Sequence, residues 1–127
     1  FGKWHLGSKL EWSPLTQGFD DYFGVLHSND MTPFKLYRQD QMIESPVNQN
    51  TLTERYTQEA IRFIENNQEE PFFLYMPHSF PHVPLYVSNQ FSGQSDAGLY
   101  GDVVETIDWS VGQVLATLER LGLEENT

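Results

Sequence analysis

Two long helical patterns and one short continuous apolar run stand out along the 127-residue chain. In the stronger helix, over 99–121, Tyr100, Val103, Val104, Ile107, Val111, Val114, Leu115, Leu118 and Leu121 keep a 3.6-residue period. Gly122 supplies its stop. Asp102, Glu105, Asp108 and Glu119 fall mainly on the opposite polar surface, with Asp108 beside the apolar sector, where it can bind a neighbouring loop. Gly101 and Gly112 weaken the helix locally and allow close packing. The period is not a clean heptad, which favours a helix lying on a sheet over a coiled coil. An earlier helix is announced by Thr51-Leu52-Thr53-Glu54, which has the spacing of a capping box. Leu52, Tyr56, Ala60, Phe63 and Ile64 then recur on one face until Asn66-Asn67 offers an exit. The run Pro71-Phe72-Phe73-Leu74-Tyr75-Met76-Pro77 is apolar without alternation, which predicts a strand covered on both faces, as in a parallel sheet. The fold class expected is α/β.

Ligand sites in open α/β sheets lie beyond the carboxyl ends of strands, and there the chain reads His78-Ser79-Phe80-Pro81-His82-Val83-Pro84. Its prolines stiffen the loop and help fix where two imidazoles point. At the other end of the chain, Phe1-Gly2-Lys3-Trp4-His5-Leu6-Gly7 sets an ammonium and an imidazole two positions apart. If residues 1–5 are extended, Lys3 and His5 share one face and Trp4 takes the other. Such a pair suits an anion, because the ammonium gives fixed charge and the imidazole can donate a hydrogen bond or move a proton. Residues 8–50 read as irregular, broken by Pro14, Gly18, Gly24, Pro33 and Pro46. Trp12, Phe19, Tyr22, Phe23, Phe34 and Tyr37 are expected to pin this stretch to the core as an ordered, site-forming layer. Asp20-Asp21 reads as a solvated turn or helix start rather than a cation site, and 89–98 as a turn-rich connection.

Composition narrows the function classes. A net charge of -11, from 7 Lys+Arg against 18 Asp+Glu, argues against nucleic acid or an anionic membrane as partner. With no cysteine, neither a disulfide, a thiolate nucleophile nor a Cys-based zinc site can be built. No apolar run approaches the length of a membrane span. The start at Phe1 without a methionine, and the stop just past a helix exit, suggest a piece of a larger domain.

Several strings, taken in order, resemble one family. They are Gly2-Lys3-Trp4-His5-Leu6-Gly7, Gly18-Phe19-Asp20-Asp21-Tyr22-Phe23-Gly24, Ser28-Asn29-Asp30-Met31, Pro71-Phe72-Phe73-Leu74-Tyr75 leading into Pro81-His82-Val83-Pro84, and Tyr100-Gly101-Asp102-Val103-Val104-Glu105-Thr106-Ile107-Asp108. The resemblance is to the formylglycine-dependent sulfatases, nearest the arylsulfatase A and N-acetylgalactosamine-6-sulfatase group, and it spans nearly the whole chain. It implies an alkaline-phosphatase-like sandwich with a mostly parallel central sheet flanked by helices, of which residues 1–127 are an incomplete middle section of the catalytic domain. By the same resemblance Lys3 matches the lysine that contacts sulfate and formylglycine, His5 the histidine beside the aldehyde hydrate, and His82 the histidine at the bridging ester oxygen. Ser28 matches a serine that in some members gives a hydrogen bond near the sulfate. Hydrolysis of a sulfated small molecule or glycan, calcium and formylglycine as cofactors, and export to periplasm, cell exterior or lysosome are further implications.

The departures are as informative. No Cys/Ser-x-Pro-x-Arg precursor of formylglycine is present: Ser79-Phe80-Pro81-His82-Val83 imitates its first half, but Val83 stands where the arginine belongs. The family's paired aspartates and Asp-Asn metal ligands are missing too, so no residue is assigned to metal. Hydrolysis of phosphate or phosphonate esters in the same superfamily is the alternative activity, and a carbohydrate-binding module using the aromatic stretch between Trp12 and Tyr37 is a non-enzymatic one.

Overall fold

The computed structural model describes residues 1–127. Its sheet has four strands in the order β1 (Gly2–Lys3), β2 (Phe23–Val25), β3 (Leu36–Arg38) and β4 (Gln41–Glu44). Two helices, α1 (Leu52–Asn66) and α2 (Gly98–Leu121), complete the α/β architecture. Within this chain the sheet is mixed and not mostly parallel: β1 and β2 run parallel, whereas β2, β3 and β4 are antiparallel neighbours. The reason is local, because β3 and β4 form a hairpin over Gln39-Asp40, with Gln39 at φ 55. Its turn has no glycine or asparagine and its strands are three and four residues long, so the segment read as irregular in the sequence holds most of the sheet.

The run 71–77 is extended beside β1, on the edge away from β2, and donates no ladder of its own. The Phe1 nitrogen donates to the Tyr75 carbonyl (2.6 Å) and the Lys3 amide to the Pro77 carbonyl (2.7 Å), the two-residue stepping of a parallel pairing. A reciprocal bond from position 77 to Phe1 cannot form because proline has no N–H. The run is also not covered on both faces. Phe72, Leu74 and Met76 are half-buried, while Phe73 is 74% exposed and Tyr75 is exposed.

The core lies between the sheet and the helices, where Phe23, Val25, Leu36, Leu52, Tyr56, Ala60, Phe80 and Val103 are buried together. From the α1 face expected to be apolar, Leu52, Tyr56, Ala60 and Ile64 are buried and Phe63 packs edge-on against Phe1 and Phe72. The anticipated capping box does not form. A 3-10 turn over Gln49–Thr51 leads into α1, so Thr51 already has helical dihedrals and its hydroxyl donates to the Asn48 carbonyl. Asn48 does the capping, accepting from the Asn50 amide.

In α2 the buried face is more polar than its periodicity suggests. Asp102, Thr106, Ser110 and Thr117 are buried with Val103 and Leu118, whereas Tyr100, Val104, Val111 and Leu115 are exposed. Asp108 makes no bond to a loop. That role belongs to Asp102, whose carboxylate accepts the amides of Gly93 (2.8 Å), Gln94 (2.9 Å) and Ser95 (2.8 Å) and organises the 89–98 connection. Those amides, Ser95 first and then Gly93, hold its carboxyl below the ordinary carboxylate range. A Cβ on Gly101 would lie 2.1 Å from Ser95 Oγ, so close packing is real there, but Gly112 faces open space. Gly122 ends the helix at φ 69, with the Leu123 amide reaching the Leu118 carbonyl. Among the aromatics of 8–50, Tyr22, Phe23 and Phe34 are buried and Trp12 is exposed.

Gly24→Ala would set a methyl 1.9 Å from the Gly2 carbonyl oxygen, and we expect a loss of about 3 kcal/mol or more in urea unfolding. Gly112→Ala, on an open helix face, should instead gain about 0.5–1 kcal/mol. Because the Asp102 pKa is lowered on folding, its contribution is present at neutral pH and fades progressively below about pH 4. The stability gap between the wild type and Asp102→Asn should therefore narrow on acidification, as read from unfolding midpoints across that range.

Candidate active site

Three segments run in the same direction and end at one edge of the sheet. β1 and β2 pair parallel, with Lys3 opposite Val25, and the extended run 71–77 follows β1 in the same sense. Beyond their carboxyl ends come His5, then His27-Ser28-Asn29, then His78 to Pro84. All four histidines of the chain lie in these three continuations.

β1 is shorter than the sequence pattern suggested. It ends at Lys3, and His5 turns to φ 57, so Lys3 and His5 do not share a strand face. The chain turns because the consecutive amides of Trp4 and His5 reach the consecutive carbonyls of Val25 (2.9 Å) and Leu26 (3.1 Å). Trp4 is fixed by its indole N–H to the Trp12 carbonyl (2.7 Å) and by its edge against Phe19. Lys3 is half-buried and forms no ion pair, and the His5 imidazole is exposed without a hydrogen bond.

After β2, His27 is held by the fold, its ring nitrogens facing the carbonyls of Ser28 (3.0 Å) and Pro33 (3.1 Å). Ser28 is 3% exposed and its hydroxyl has no partner. Asn29, also buried, donates from Nδ2 to the Pro84 carbonyl (2.7 Å) and toward the His82 carbonyl (3.5 Å). Its own carbonyl accepts from Gln49 (3.1 Å). The turn after β2 is thereby fastened to the loop that carries His82.

The two histidines of that loop part company. His82 is exposed, with Nδ1 2.6 Å from the Val83 carbonyl. His78 points inward against the Tyr56 ring, with Nε2 3.5 Å from Ser110 Oγ and Nδ1 buried without a partner. Burial lowers its pKa, so this imidazole is neutral at neutral pH. Around it, Tyr56 Oη and Ser79 Oγ share a hydrogen bond (3.0 Å), as do Thr57 Oγ1 and Ser110 Oγ (2.6 Å).

The structure thus brings Lys3, His5, Ser28 and His82 to one edge, with no hydrogen bond joining their side chains. Asn29 and His78 were not among the expected site residues. The signal for Asn29 was its place in the Ser28-Asn29-Asp30-Met31 string, and for His78 its position directly after the apolar run. The broadest cleft, about 680 Å³ and lined by Pro71–Leu74, Val114 and Leu118, lies at the start of the run, away from this edge. These residues do not build a cation site: no three His, Asp or Glu side chains converge, and Asp21 is paired with Arg62 at 3.3 Å.

The Sulfatase family model matches residues 1–127. The chain belongs to the sulfatase family. It is 42% identical over 144 aligned residues to the N-acetylgalactosamine-6-sulfatase of Mus musculus, covering 99% of this chain and 28% of that protein. Over 106 residues it is 40% identical to the steryl-sulfatase of Homo sapiens, covering 84% of this chain and 18% of the relative. A solved 6S-sulf structure, described under the metabolism of multiple glycosaminoglycans by Bacteroides thetaiotaomicron, superposes with a TM-score of 0.86 at 25% identity, over 99% of this chain and 40% of that one. This sulfatase chain therefore spans under a third of the length of the curated relatives it matches.

Behind the edge, Tyr56 and Ser79 are both buried. Tyr56→Phe strands the Ser79 hydroxyl, and chemical denaturation should show a loss of about 1–2 kcal/mol.

Proposed function

We propose that the protein to which this chain belongs hydrolyses sulfate esters, with Lys3, His5 and His82 lining the sulfate site and Ser28 beside it. The observation that carries this reading is the arrival of those residues at one carboxyl edge, in a chain of the sulfatase family. Residues 1–127 form a middle section of the catalytic domain, and their small mixed sheet is one part of an alkaline-phosphatase-like sandwich with a mostly parallel centre. The substrate is a sulfated glycan or small molecule, in keeping with the name of the mouse relative. Export to periplasm, cell exterior or lysosome is part of the same reading.

Cleaving a sulfate ester requires holding an anionic sulfuryl group while charge grows on the departing oxygen. Lys3 supplies an unpaired ammonium for the sulfuryl oxygens. The His5 ring, with both nitrogens unbonded in this chain, can donate to the same group or move a proton there. His82 suits protonation of the leaving alcohol. When Nδ1–H donates to the Val83 carbonyl, Nε2 is left outward to carry the transferable proton. In this family formylglycine supplies the nucleophile and a metal ion, calcium in the present reading, supports it. Neither the precursor residue nor a cation site lies among these residues, so the chain's own side chains contribute sulfate binding and proton transfer.

In the full-length protein, Lys3→Ala should lower kcat/KM for an aryl sulfate by about 10²-fold or more, and His82→Ala should do so for an alkyl sulfate, whose leaving alcohol needs protonation, with folding checked by circular dichroism. Wild-type rates in both variants would overturn the assignment. A strong preference of the parent enzyme for the matched aryl phosphate would replace sulfate with phosphate as the substrate.

A further inference from the structure

We propose that Asn29 is a positioning residue for the leaving-group acid, clamping the His82 loop to the turn after β2 so that the imidazole is held where the ester oxygen departs. This role rests on His82 being the acid that serves the leaving alcohol. His82 itself is exposed, and its only side-chain bond is to the adjacent Val83 carbonyl. A ring tied only to its own loop is placed no better than that loop is. Nothing in regular secondary structure holds residues 78–87.

Residues 78–80 are tied down by Tyr56, Ser110 and the core, but over 81–87 the hydrogen bonds that cross the fold come from a single buried amide. Asn29 Nδ2 lies 2.7 Å from the Pro84 carbonyl and 3.5 Å from the His82 carbonyl, so one –NH₂ group spans the residues on either side of Val83. Asn29 is 3% exposed, and Gln49 fixes its backbone through a 3.1 Å bond to its carbonyl. The adjoining turn is closed by Met31 N–H to the Ser28 carbonyl (3.1 Å). The donor is therefore anchored to β2 and to the approach to α1, while its acceptors belong to the histidine loop. Because bond-breaking and proton delivery must coincide within a few tenths of an ångström, a loop freed at 82–84 loses acid catalysis first. In that step the S–O bond breaks with its electron pair on the ester oxygen, the sulfuryl group passes to the nucleophile, and the proton on His82 Nε2 moves to the departing oxygen.

Leaving-group dependence separates this role from a merely structural one. An alkyl sulfate needs its poor leaving group protonated, whereas 4-nitrophenyl sulfate departs as a stable phenolate and needs little help. The test uses full-length enzyme with Asn29→Ala, and with Asn29→Asp, which keeps size but removes the donor; His82→Ala is the internal standard. Both Asn29 variants should lower kcat by roughly 10²-fold on the alkyl sulfate and by less than about threefold on 4-nitrophenyl sulfate, following the His82→Ala pattern. Equal losses on the two substrates, or none, while His82→Ala discriminates between them, would overturn the role of Asn29 alone. Failure of His82→Ala to discriminate would overturn the acid assignment and this inference with it.

Discussion

Three backbones meet at Gly2, and the candidate site depends on how closely they approach. A Cβ on Gly24 would lie 1.9 Å from the Gly2 carbonyl oxygen, and a Cβ on Gly2 itself, where φ is +131°, would lie 2.1 Å from the Pro77 carbonyl oxygen. No side chain fits at either distance. With glycine at both positions, β1 pairs with β2 on one side and the Lys3 amide reaches Pro77 on the other. The relative register of three chain segments is thereby set at one point. A slip of a single residue would displace a following loop by about 3.3 Å and turn its side chains over. Lys3, the Ser28 turn and the histidine loop therefore owe their common edge to two missing side chains.

Directly behind that edge the packing turns polar, and this gives the exposed loops a stiff foundation. Thr57 bonds both the Thr53 carbonyl and Ser110, joining α1 to α2, while Tyr56 reaches Ser79 at the root of the histidine loop. Burial pushes the Tyr56 phenol well above its ordinary range, so it stays neutral and able to donate. An apolar interface tolerates sliding, but buried hydroxyls lose their partners if a helix shifts, so they select one alignment. Asp102 applies the same constraint near the start of α2, gathering three loop amides onto one carboxylate.

Legibility followed the length of the pattern. Both helices were readable because four or more turns repeat an apolar stripe, and their exits at Asn67 and Gly122 appear where the residue types placed them. The hairpin of β3 and β4 was not, since three- and four-residue strands fall below any periodic window and Gln39 carries the positive φ that a glycine would have advertised. Face assignments in α2 failed for a different reason. Ser110 and Asp102 are inside because Thr57 and the amides of Gly93 to Ser95 await them, while Thr106 satisfies its hydroxyl on the Asp102 carbonyl one turn back, and none of these pairings leaves a trace in a hydropathy pattern. The candidate residues Lys3, His5, Ser28 and His82 were named through ordered motif resemblance, and their common edge follows from the pairing of three backbone segments. The contacts of Asn29 and His78 reach 55 and 32 residues along the chain and are visible only once it is folded.

An acidic chain is an unexpected place for the proposed sulfate site, and the distribution of charge bears on that conflict. Of the seven lysines and arginines, Lys9, Arg38, Arg55, Arg62 and Arg120 are engaged by carboxylates, leaving Lys3 and Lys35 unpaired. The ion pairs brace α1 against the sheet and against α2: Arg38 with Glu59, Arg55 with Glu44, Arg120 with Glu65. Their partners are thereby neutralised locally and kept away from the carboxyl edge. Exposed charges farther than about 8 Å are largely screened at physiological salt, so the potential felt by a bound anion comes from its immediate neighbours. At this edge those neighbours include an unpaired lysine and two exposed imidazoles, together with the Asp30 carboxylate in the turn after β2. Global acidity and an unpaired lysine at this edge are compatible because the arginines are committed to structure and Lys3 is not.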